Sequence, residues 1–198
     1  MDLYVIRHGE SVANATKVHG GWAQVPLTEK GEQQAQSISK ILSKITFTRV
    51  IASDLLRAEQ TAKLALPTYD YDTDPRLREI NVGILSGRSV SKCKSELGEE
   101  YISNVKQFNF VPYSGENVPM HNQRVADFMN DITNEPEIST IAVVCHEGTI
   151  VAMLSHVLQA SVPRHVAPVM NCGICVLSYL NGQWFLRKWN ETGSLISN

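Results

Sequence analysis

The sequence lacks any long hydrophobic run. Hydrophobic residues make up 43% of the chain, yet no apolar stretch approaches the roughly 20 residues that a membrane-spanning helix needs. The N-terminus also lacks a basic and then apolar signal sequence, because Met1-Asp2 leads directly into a strand-like segment. We therefore expect a cytoplasmic protein with no membrane partner.

A strong charge of either sign is also missing. The chain of 198 residues has 18 basic and 20 acidic side chains, which give a formal net charge of −2. A nearly neutral protein has no overall field that attracts nucleic acid, so we expect no nucleic-acid partner. Any affinity for anions must come from arginines that are grouped locally.

Cysteine is scarce, with four residues in the chain. Cys172 and Cys175 have the spacing of a redox or metal-binding pair. The sequence around them is typical of a strand, however, and a separation of three then places the two side chains on opposite faces. We interpret them as buried structural residues.

The histidines give no metal-binding pattern. His146-Glu147 begins like the zinc motif HExxH, but Ile150 stands where the second histidine is required. Four other histidines show no ligand spacing and are interpreted as surface or structural residues: His19, His121, His156 and His165. We expect no metal and no other cofactor.

The most informative stretch is the apolar run from residue 3 to 6, followed directly by Arg7-His8-Gly9. Such a run is typical of a strand buried on both faces, and Gly9 ends it. Arg7 and His8 would then lie at the carboxyl end of a central strand, where open α/β sheets bind their ligands. An arginine fork suits an oxyanion and a neutral imidazole can act as a nucleophile, so the pair indicates phosphate chemistry.

The rest of the chain alternates between helix and strand patterns. Helices are predicted at about 29–44, from a cap at Ser53 or Asp54 to before Pro67, and at about 91–108, 119–133 and 148–158. Further strands are predicted at 50–52, 140–145, 172–180 and 184–189, with a hairpin turn at Asn181-Gly182. Residues 11–25 are predicted as a loop and 77–80 as a short extended segment. This order indicates one domain over residues 1–198, an α/β three-layer α-β-α sandwich around a mostly parallel, mixed β-sheet.

Several segments, in chain order, resemble the signatures of the histidine phosphatase superfamily, in its phosphoglycerate mutase-like branch. The first, Arg7-His8-Gly9-Glu10-Ser11 with Asn14, resembles RHGxTxxN. The next two, Pro26 to Gly31 and Ser53 to Ala62, are similar to PLTxxG and SxLxRAxQTA. The last are Leu77-Arg78-Glu79 with Gly83 and Gly87, Gly115-Glu116 with Arg124-Val125, and Val144-Cys145-His146-Glu147-Gly148.

This resemblance implies a metal-independent phosphomonoesterase. It implies that His8 is the nucleophile that becomes a phosphohistidine, that Glu79 is the general acid and base, and that His146 is a second catalytic histidine. It also implies that the phosphoryl group is bound by Arg7, Arg57 and His146, and that Asn14 contacts phosphate. The implied partner is a small-molecule phosphoester. If the chain forms a homodimer, a second copy of the chain is also a partner.

The sequence departs from the family pattern in two residues and in one length. Gln24 replaces an aspartate before the PLTxxG motif, and Glu147 stands where a small residue is usual. The stretch from Arg78 to Gly115 is short and lacks RYYGxL, which favours a phosphatase over a mutase. Residues 89–113 are expected to form a substrate-selecting lid that includes Lys92, Lys94, Tyr101, Phe108 and Phe110. A cofactor-dependent mutase and a non-catalytic phosphate-binding protein remain as alternatives.

Glu147 has two interpretations. A carboxylate at the start of a helix stabilises the helix dipole by about 0.3–1 kcal/mol, which alone explains it. Alternatively, its charge reaches the phosphate pocket, where it would repel a dianion and favour a protonated His146.

Overall fold

A computed structural model describes residues 1–134 and 139–192, and its centre is a mixed sheet. The sheet has six strands in the order β3-β2-β4-β1-β5-β6. The strands are β1 (Asp2–Arg7), β2 (Arg49–Ala52), β3 (Asp72–Thr73), β4 (Thr140–Cys145), β5 (Ile174–Leu180) and β6 (Gln183–Glu191). The four strands from β3 to β1 pair in parallel, and β5 and β6 add an antiparallel edge.

Helices cover both faces of this sheet. The helices are α1 (Val12–Thr16), α2 (Glu29–Leu42), α3 (Leu56–Ala65), α4 (Val90–Lys106), α5 (Val118–Thr133) and α6 (Glu147–Leu158). One face packs against α5 and α6 through residues such as Phe128 and Met153, and the other against α2 and α3 through residues such as Ile38 and Ala62. The predicted α/β sandwich is therefore confirmed. The prediction of a single domain over 1–198 extends beyond the described residues and stays a prediction.

Because side chains alternate along β1, this strand contributes residues to the hydrophobic cores on both faces of the sheet. Leu3 and Val5 lie in the core under α5 and α6, whereas Ile6 lies in the core under α2 and α3. Cys172 and Cys175 also lie in the two different cores, although Cys172 precedes β5 and strand alternation does not place it. Their predicted placement on opposite faces is confirmed.

The carboxyl ends of the parallel strands meet along one edge of the sheet. Arg7, the last residue of β1, pairs with Cys145, the last residue of β4, and β2 ends beside β4 at Ala52. The residues that follow these strands are His8, His146 and Ser53, so the topology brings together three segments that are far apart in sequence. This edge is where ligands bind in open α/β sheets.

Three local predictions were wrong. The segment predicted as a loop contains α1, where the Ser11 and Asn14 side chains and backbones bond reciprocally as a capping box. Neither Ser53 nor Asp54 caps α3, because its cap residue is Leu55, which offers no side-chain hydrogen bond. The segment predicted as extended at 77–80 begins inside a 3₁₀ turn, Pro75–Leu77, so the prediction fails at Leu77.

Gln24 supplies the missing cap of α3. Its Oε1 accepts a hydrogen bond from the Leu56 N–H at 2.7 Å, and its Nε2 donates to the Asp54 carbonyl oxygen at 3.3 Å. The first N–H groups of a helix have no partner within it, so an acceptor from elsewhere in the chain stabilises the helix start. The departure from the family aspartate therefore has a structural role next to Arg57.

Candidate active site

His8 lies at the carboxyl end of β1 and is almost fully buried. Its Nδ1 is 2.7 Å from the carbonyl oxygen of Gly9. A carbonyl only accepts hydrogen bonds, so Nδ1 carries the proton and Nε2 keeps its lone pair. Burial, and then the charges of Arg57 and Arg7, lower the pKa of His8 well below its usual value. The free Nε2 of a neutral imidazole is therefore available as a nucleophile.

Gly9 allows the chain after His8 to pass close to α2. A Cβ at this position would lie 2.4 Å from the carbonyl oxygen of Gly31. The Gly9 N–H donates to Thr61 Oγ1 at 3.1 Å, and Asn171 Nδ2 donates to the His8 carbonyl oxygen at 3.0 Å. These bonds hold the backbone on both sides of the imidazole.

His146 follows β4 and lies beside His8, with 5.1 Å between the ring centroids. Its Nε2 is 2.9 Å from Ser53 Oγ, whereas its buried Nδ1 has no hydrogen-bond partner within the described residues. A buried polar atom without a partner is uncommon in proteins and points to a group that a ligand satisfies. Burial and the charge of Arg57 keep the pKa of His146 well below its usual value, so this ring is also neutral.

Arg57 extends into the same space from the first turn of α3. Its Nη1 and Nη2 donate to the carbonyl oxygens of Ala23 and Gly21 at 3.1 and 2.9 Å. Burial lowers its pKa to about 10, which leaves the guanidinium charged at neutral pH. Two backbone carbonyls from the segment after α1 thus fix the position of this charge.

Arg7 is the second arginine of the site. Its Nη1 donates to the Val169 carbonyl oxygen and lies 3.5 Å from Glu147 Oε2. Its buried Nε has no partner within the described residues. An unsatisfied guanidinium N–H beside a neutral imidazole is suited to a phosphoryl oxygen.

Glu79 is held by three donors. Its Oε1 accepts from the Ile80 N–H at 2.9 Å, and its Oε2 accepts from Arg164 Nη2 at 2.9 Å and from the Gly148 N–H at 3.3 Å. Burial raises the pKa of this carboxyl, but Arg164, His121 and the Ile80 N–H together lower it to about 2. Glu79 is therefore ionised in the ligand-free protein, and a role as an acid requires it to gain a proton when substrate binds.

Arg164 is a site residue that the sequence did not reveal. It begins a 3₁₀ turn, Arg164–Val166, and its guanidinium lies 5.5 Å from the ring centroid of Phe108. Its Nη2 contacts Glu147 Oε2 at 3.2 Å as well as Glu79. It belongs to no motif, and Pro163 and His165 beside it give no signal, so only the fold shows its role.

Asn14 lies at the rim of the site and is exposed. Its Oδ1 accepts from both the N–H and the hydroxyl of Ser11, at 3.1 and 2.9 Å, as part of the cap of α1. The amide NH₂ group is the end of the side chain that can donate to an anion.

A cavity of about 240 Å³ connects these groups. Five of the six predicted site residues line it, namely Arg7, His8, Asn14, Arg57 and Glu79, together with Glu147 and Arg164. The sixth, His146, is fully buried beside His8 and is not among the lining residues. A second cavity of about 260 Å³ adjoins the first and shares Ile80, Phe108 and Arg164 with it.

Part of the predicted lid lines the first cavity, and its role in substrate selection stays a prediction. Val105, Phe108 and Phe110 line the first cavity, and Tyr101 packs behind them with its hydroxyl 2.6 Å from Nε2 of His19. Lys92 and Lys94 are exposed on α4 and line neither cavity. They are therefore solvent-facing residues of the lid helix.

The structure supports the first interpretation of Glu147 and only one part of the second. It is the first residue of α6, where a carboxylate favours the helix dipole. Its side chain also reaches the cavity and lies 3.5 Å from Arg7. The expectation that it favours a protonated His146 is wrong, because burial lowers the pKa of that imidazole.

His121 lies behind Glu79 and is a buried structural residue. Its Nε2 is 3.3 Å from Thr149 Oγ1, and burial lowers its pKa to about 4. Within residues 1–134 and 139–192, no group of three or more histidine, cysteine, aspartate or glutamate side chains could hold a metal ion. In the same ranges, no helix is long and apolar enough to cross a bilayer.

Gly148 offers a test of the position of Glu79. A Cβ here would lie 2.2 Å from Glu79 Oε1 and 3.1 Å from Arg164 Nη1. We expect Gly148→Ala to displace this carboxylate and, where Glu79 has the acid and base role that the resemblance implies, to lower kcat/KM for a phosphoester by about 10²-fold, because small misplacements of catalytic groups are costly. Displacing a buried carboxylate from its donors also costs stability, so the thermal unfolding midpoint should be measured by circular dichroism and kcat/KM compared at a temperature where both proteins are folded. Wild-type kcat/KM would show that the carboxylate position is not critical.

Comparisons with known proteins place the chain among related families and folds. The model of the histidine phosphatase superfamily, branch 1, matches residues 3–192. The chain is 31% identical over 195 residues to a protein of Enterobacter sp. (strain 638) named "Probable phosphoglycerate mutase GpmB", covering 96% of this chain and 90% of that protein. It is 32% identical over 161 residues to the adenosylcobalamin/alpha-ribazole phosphatase of Salmonella typhimurium (strain LT2), covering 80% of each.

A solved structure is similar over the whole chain. The alpha-ribazole phosphatase from Shigella flexneri matches with a TM-score of 0.90 at 26% identity, covering 100% of both chains.

Proposed function

The chain belongs to the histidine phosphatase superfamily, and from that membership we propose that it is a metal-independent phosphomonoesterase with a phosphohistidine intermediate on His8. The observation that carries this proposal is the state of His8. Its Nδ1 donates to a backbone carbonyl, and its Nε2 is left free in a cavity that Arg7 and Arg57 line. A nucleophile between two cations suits a dianionic phosphoester.

In the first step, His8 Nε2 attacks the phosphorus atom. The N–P bond forms as the P–O bond to the alcohol breaks. Arg7 and Arg57 neutralise the charge on the non-bridging oxygens, and an N–H of the neutral His146 donates a hydrogen bond to one of them. Glu79, protonated in the substrate complex, donates its proton to the departing alcohol oxygen. The alcohol then leaves and the phosphohistidine remains.

In the second step, a water molecule replaces the alcohol. The Glu79 carboxylate accepts a proton from this water as its oxygen attacks phosphorus and the N–P bond breaks. The products are inorganic phosphate and free His8, and Glu79 releases the proton to solvent when phosphate leaves. One carboxyl group thus serves as acid and then as base, and neither step needs a metal ion.

The walls of the cavity favour a small-molecule alcohol with apolar surface. Val82, Val105, Phe108 and Phe110 contribute apolar surface to the lining of the cavity. Apolar walls with few polar groups are usual for sites that bind small molecules. The names of the relatives supply candidates, so the substrate panel includes alpha-ribazole 5′-phosphate and 3-phosphoglycerate as well as p-nitrophenyl phosphate.

Mutase-type transfer is the second candidate, because one relative carries that name over 96% of this chain. A mutase requires a bisphosphate primer and returns the phosphoryl group to a sugar acid. Isomerisation of 3-phosphoglycerate that depends on such a primer would favour it. Release of inorganic phosphate without primer would favour the phosphatase.

We expect hydrolysis of the panel to be unaffected by EDTA and to be inhibited by vanadate. Vanadate resembles five-coordinate phosphorus and would bind between Arg7, Arg57 and His146. The measurement is phosphate release at fixed substrate with increasing vanadate, in the presence and absence of EDTA. Activity that EDTA removes and a divalent metal restores would contradict the proposal.

A further inference from the structure

Four charged side chains form an alternating row along one wall of the cavity. Arg7 lies 3.5 Å from Glu147, Glu147 lies 3.2 Å from Arg164, and Arg164 lies 2.9 Å from Glu79. The same oxygen, Oε2 of Glu147, contacts both arginines, and the same nitrogen, Nη2 of Arg164, contacts both carboxylates. A change in the contact between Arg7 and Glu147 therefore alters how Arg164 is shared between Glu147 and Glu79.

The row connects two groups that must change state when substrate binds. Arg7 must contact the phosphoryl group, whereas in the free protein Glu147 neutralises it. Glu79 must gain a proton, whereas in the free protein Arg164 stabilises its charged form. Glu147 and Arg164 stand between these two residues.

We propose that Glu147 is a positioning residue that couples phosphate binding to protonation of Glu79, through its competition for Arg164. When a phosphoryl group engages Arg7, Glu147 loses one of its two cationic partners and attracts Arg164 more strongly. Arg164 then shifts from Glu79 towards Glu147, and Glu79 takes up a proton from solvent. This inference rests on the proposed function, because it concerns the same phosphoryl transfer.

Other charged groups around Glu79 do not provide this link. Several titratable or charged groups interact electrostatically with the Glu79 carboxylate. They are Arg7 on β1, His8 after β1, Arg57 on α3, His121 on α5, Cys145 on β4, and Arg164. Among the cations, Arg57 is fixed by two backbone carbonyls. Arg164 is the one whose hydrogen bonds are divided between Glu79 and a second carboxylate.

The test is Glu147→Gln, with Glu29→Gln as its matched control. Both glutamates are the first residue of a helix, α6 and α2, but Glu29 is exposed and lies outside the cavity. Both variants lose the same helix-dipole interaction. Effects that appear only in Glu147→Gln therefore come from the charged row.

Without the Glu147 charge, Arg7 loses its carboxylate partner and Arg164 stays with Glu79. We expect inorganic phosphate to inhibit Glu147→Gln more strongly, and the alkaline limb of kcat to move to lower pH, because Glu79 is harder to protonate. Alkyl phosphates should be slowed by about tenfold and p-nitrophenyl phosphate by less than about twofold, because nitrophenolate leaves without a proton. Glu147→Asp, which keeps the charge, should recover part of the wild-type profile.

Proton uptake gives a second readout that does not depend on turnover. Calorimetry of inorganic phosphate binding, in buffers of different ionisation enthalpy and at a pH where phosphate is a dianion, counts the protons taken up. Wild type should take up roughly one proton, and Glu147→Gln clearly less. Glu147→Gln could instead match wild type in the alkaline limb of kcat, in the relative rates of alkyl and p-nitrophenyl phosphates, and in proton uptake. That result would overturn the inference, even if the variant were active. Failure of the proposed function itself would instead show as turnover that does not require His8.

Discussion

His8→Ala is expected to lower kcat/KM by on the order of 10⁴–10⁶-fold, the range seen when an enzyme loses its nucleophile. Alanine removes Nε2, and within the described residues His19 is the other imidazole that lines the cavity. The Nε2 of His19 is engaged with the Tyr101 hydroxyl at 2.6 Å. The loss should therefore affect every substrate of the panel.

The intermediate can be trapped as well as inferred from rates. Turnover of a ³²P-labelled ester quenched in alkali should leave label on the wild-type protein that is stable to base and lost in acid, as a phosphoramidate is. His8→Ala should carry no label, whereas His156→Ala, on the last turn of α6 and outside the cavity, should carry as much as wild type. Full turnover by His8→Ala, or label that persists in it, would contradict the mechanism.

The part of the site that lies at strand ends was predictable from sequence. An apolar run that stops at Arg7-His8-Gly9 fixes both the strand and the residues at its end, because a buried strand is short and a glycine breaks it. The parallel order of β2, β4 and β1 then brings Ser53, His146 and His8 to one edge. These relations depend on local patterns and general rules of topology.

The remaining part depends on contacts between distant residues. Arg164 meets Glu79 across 85 positions, and Gln24 caps α3 across 32. Neither contact leaves a periodic or short-range pattern. The five residues of α1 are likewise too few for periodicity, and the capping box at its start consists of polar residues that are equally common in turns.

The charge state of Glu79 also required the structure. The resemblance implied an acid and base at this position, but the row of Arg7, Glu147, Arg164 and Glu79 shows that the resting carboxyl is ionised. An acid that is charged at rest must be protonated by the binding event. Proton donation by Glu79 is therefore best tested by varying the basicity of the leaving group, and not by varying the phosphate.

We therefore expect Glu79→Gln to discriminate strongly between leaving groups. Glutamine has nearly the same size but cannot donate a carboxylic proton, so kcat/KM for alkyl phosphates should fall by about 10²–10⁴-fold, the usual contribution of general acid catalysis. For p-nitrophenyl phosphate, whose leaving group is a weak base, the loss should be much smaller. The measurement is a plot of log kcat/KM against leaving-group pKa for both proteins, which should be steeper for the variant.

The structure indicates how to separate this effect from a packing defect. The amide of the Glu79→Gln variant would keep an oxygen that can accept from the Ile80 N–H, but it would place an uncharged group beside Arg164, which removes one of the two carboxylate partners of that arginine. Some loss of stability is expected, and a thermal melt measures it. If the fall in kcat/KM were equal for every leaving group, Glu79 would be a structural partner of Arg164 and the general acid would have to be another group.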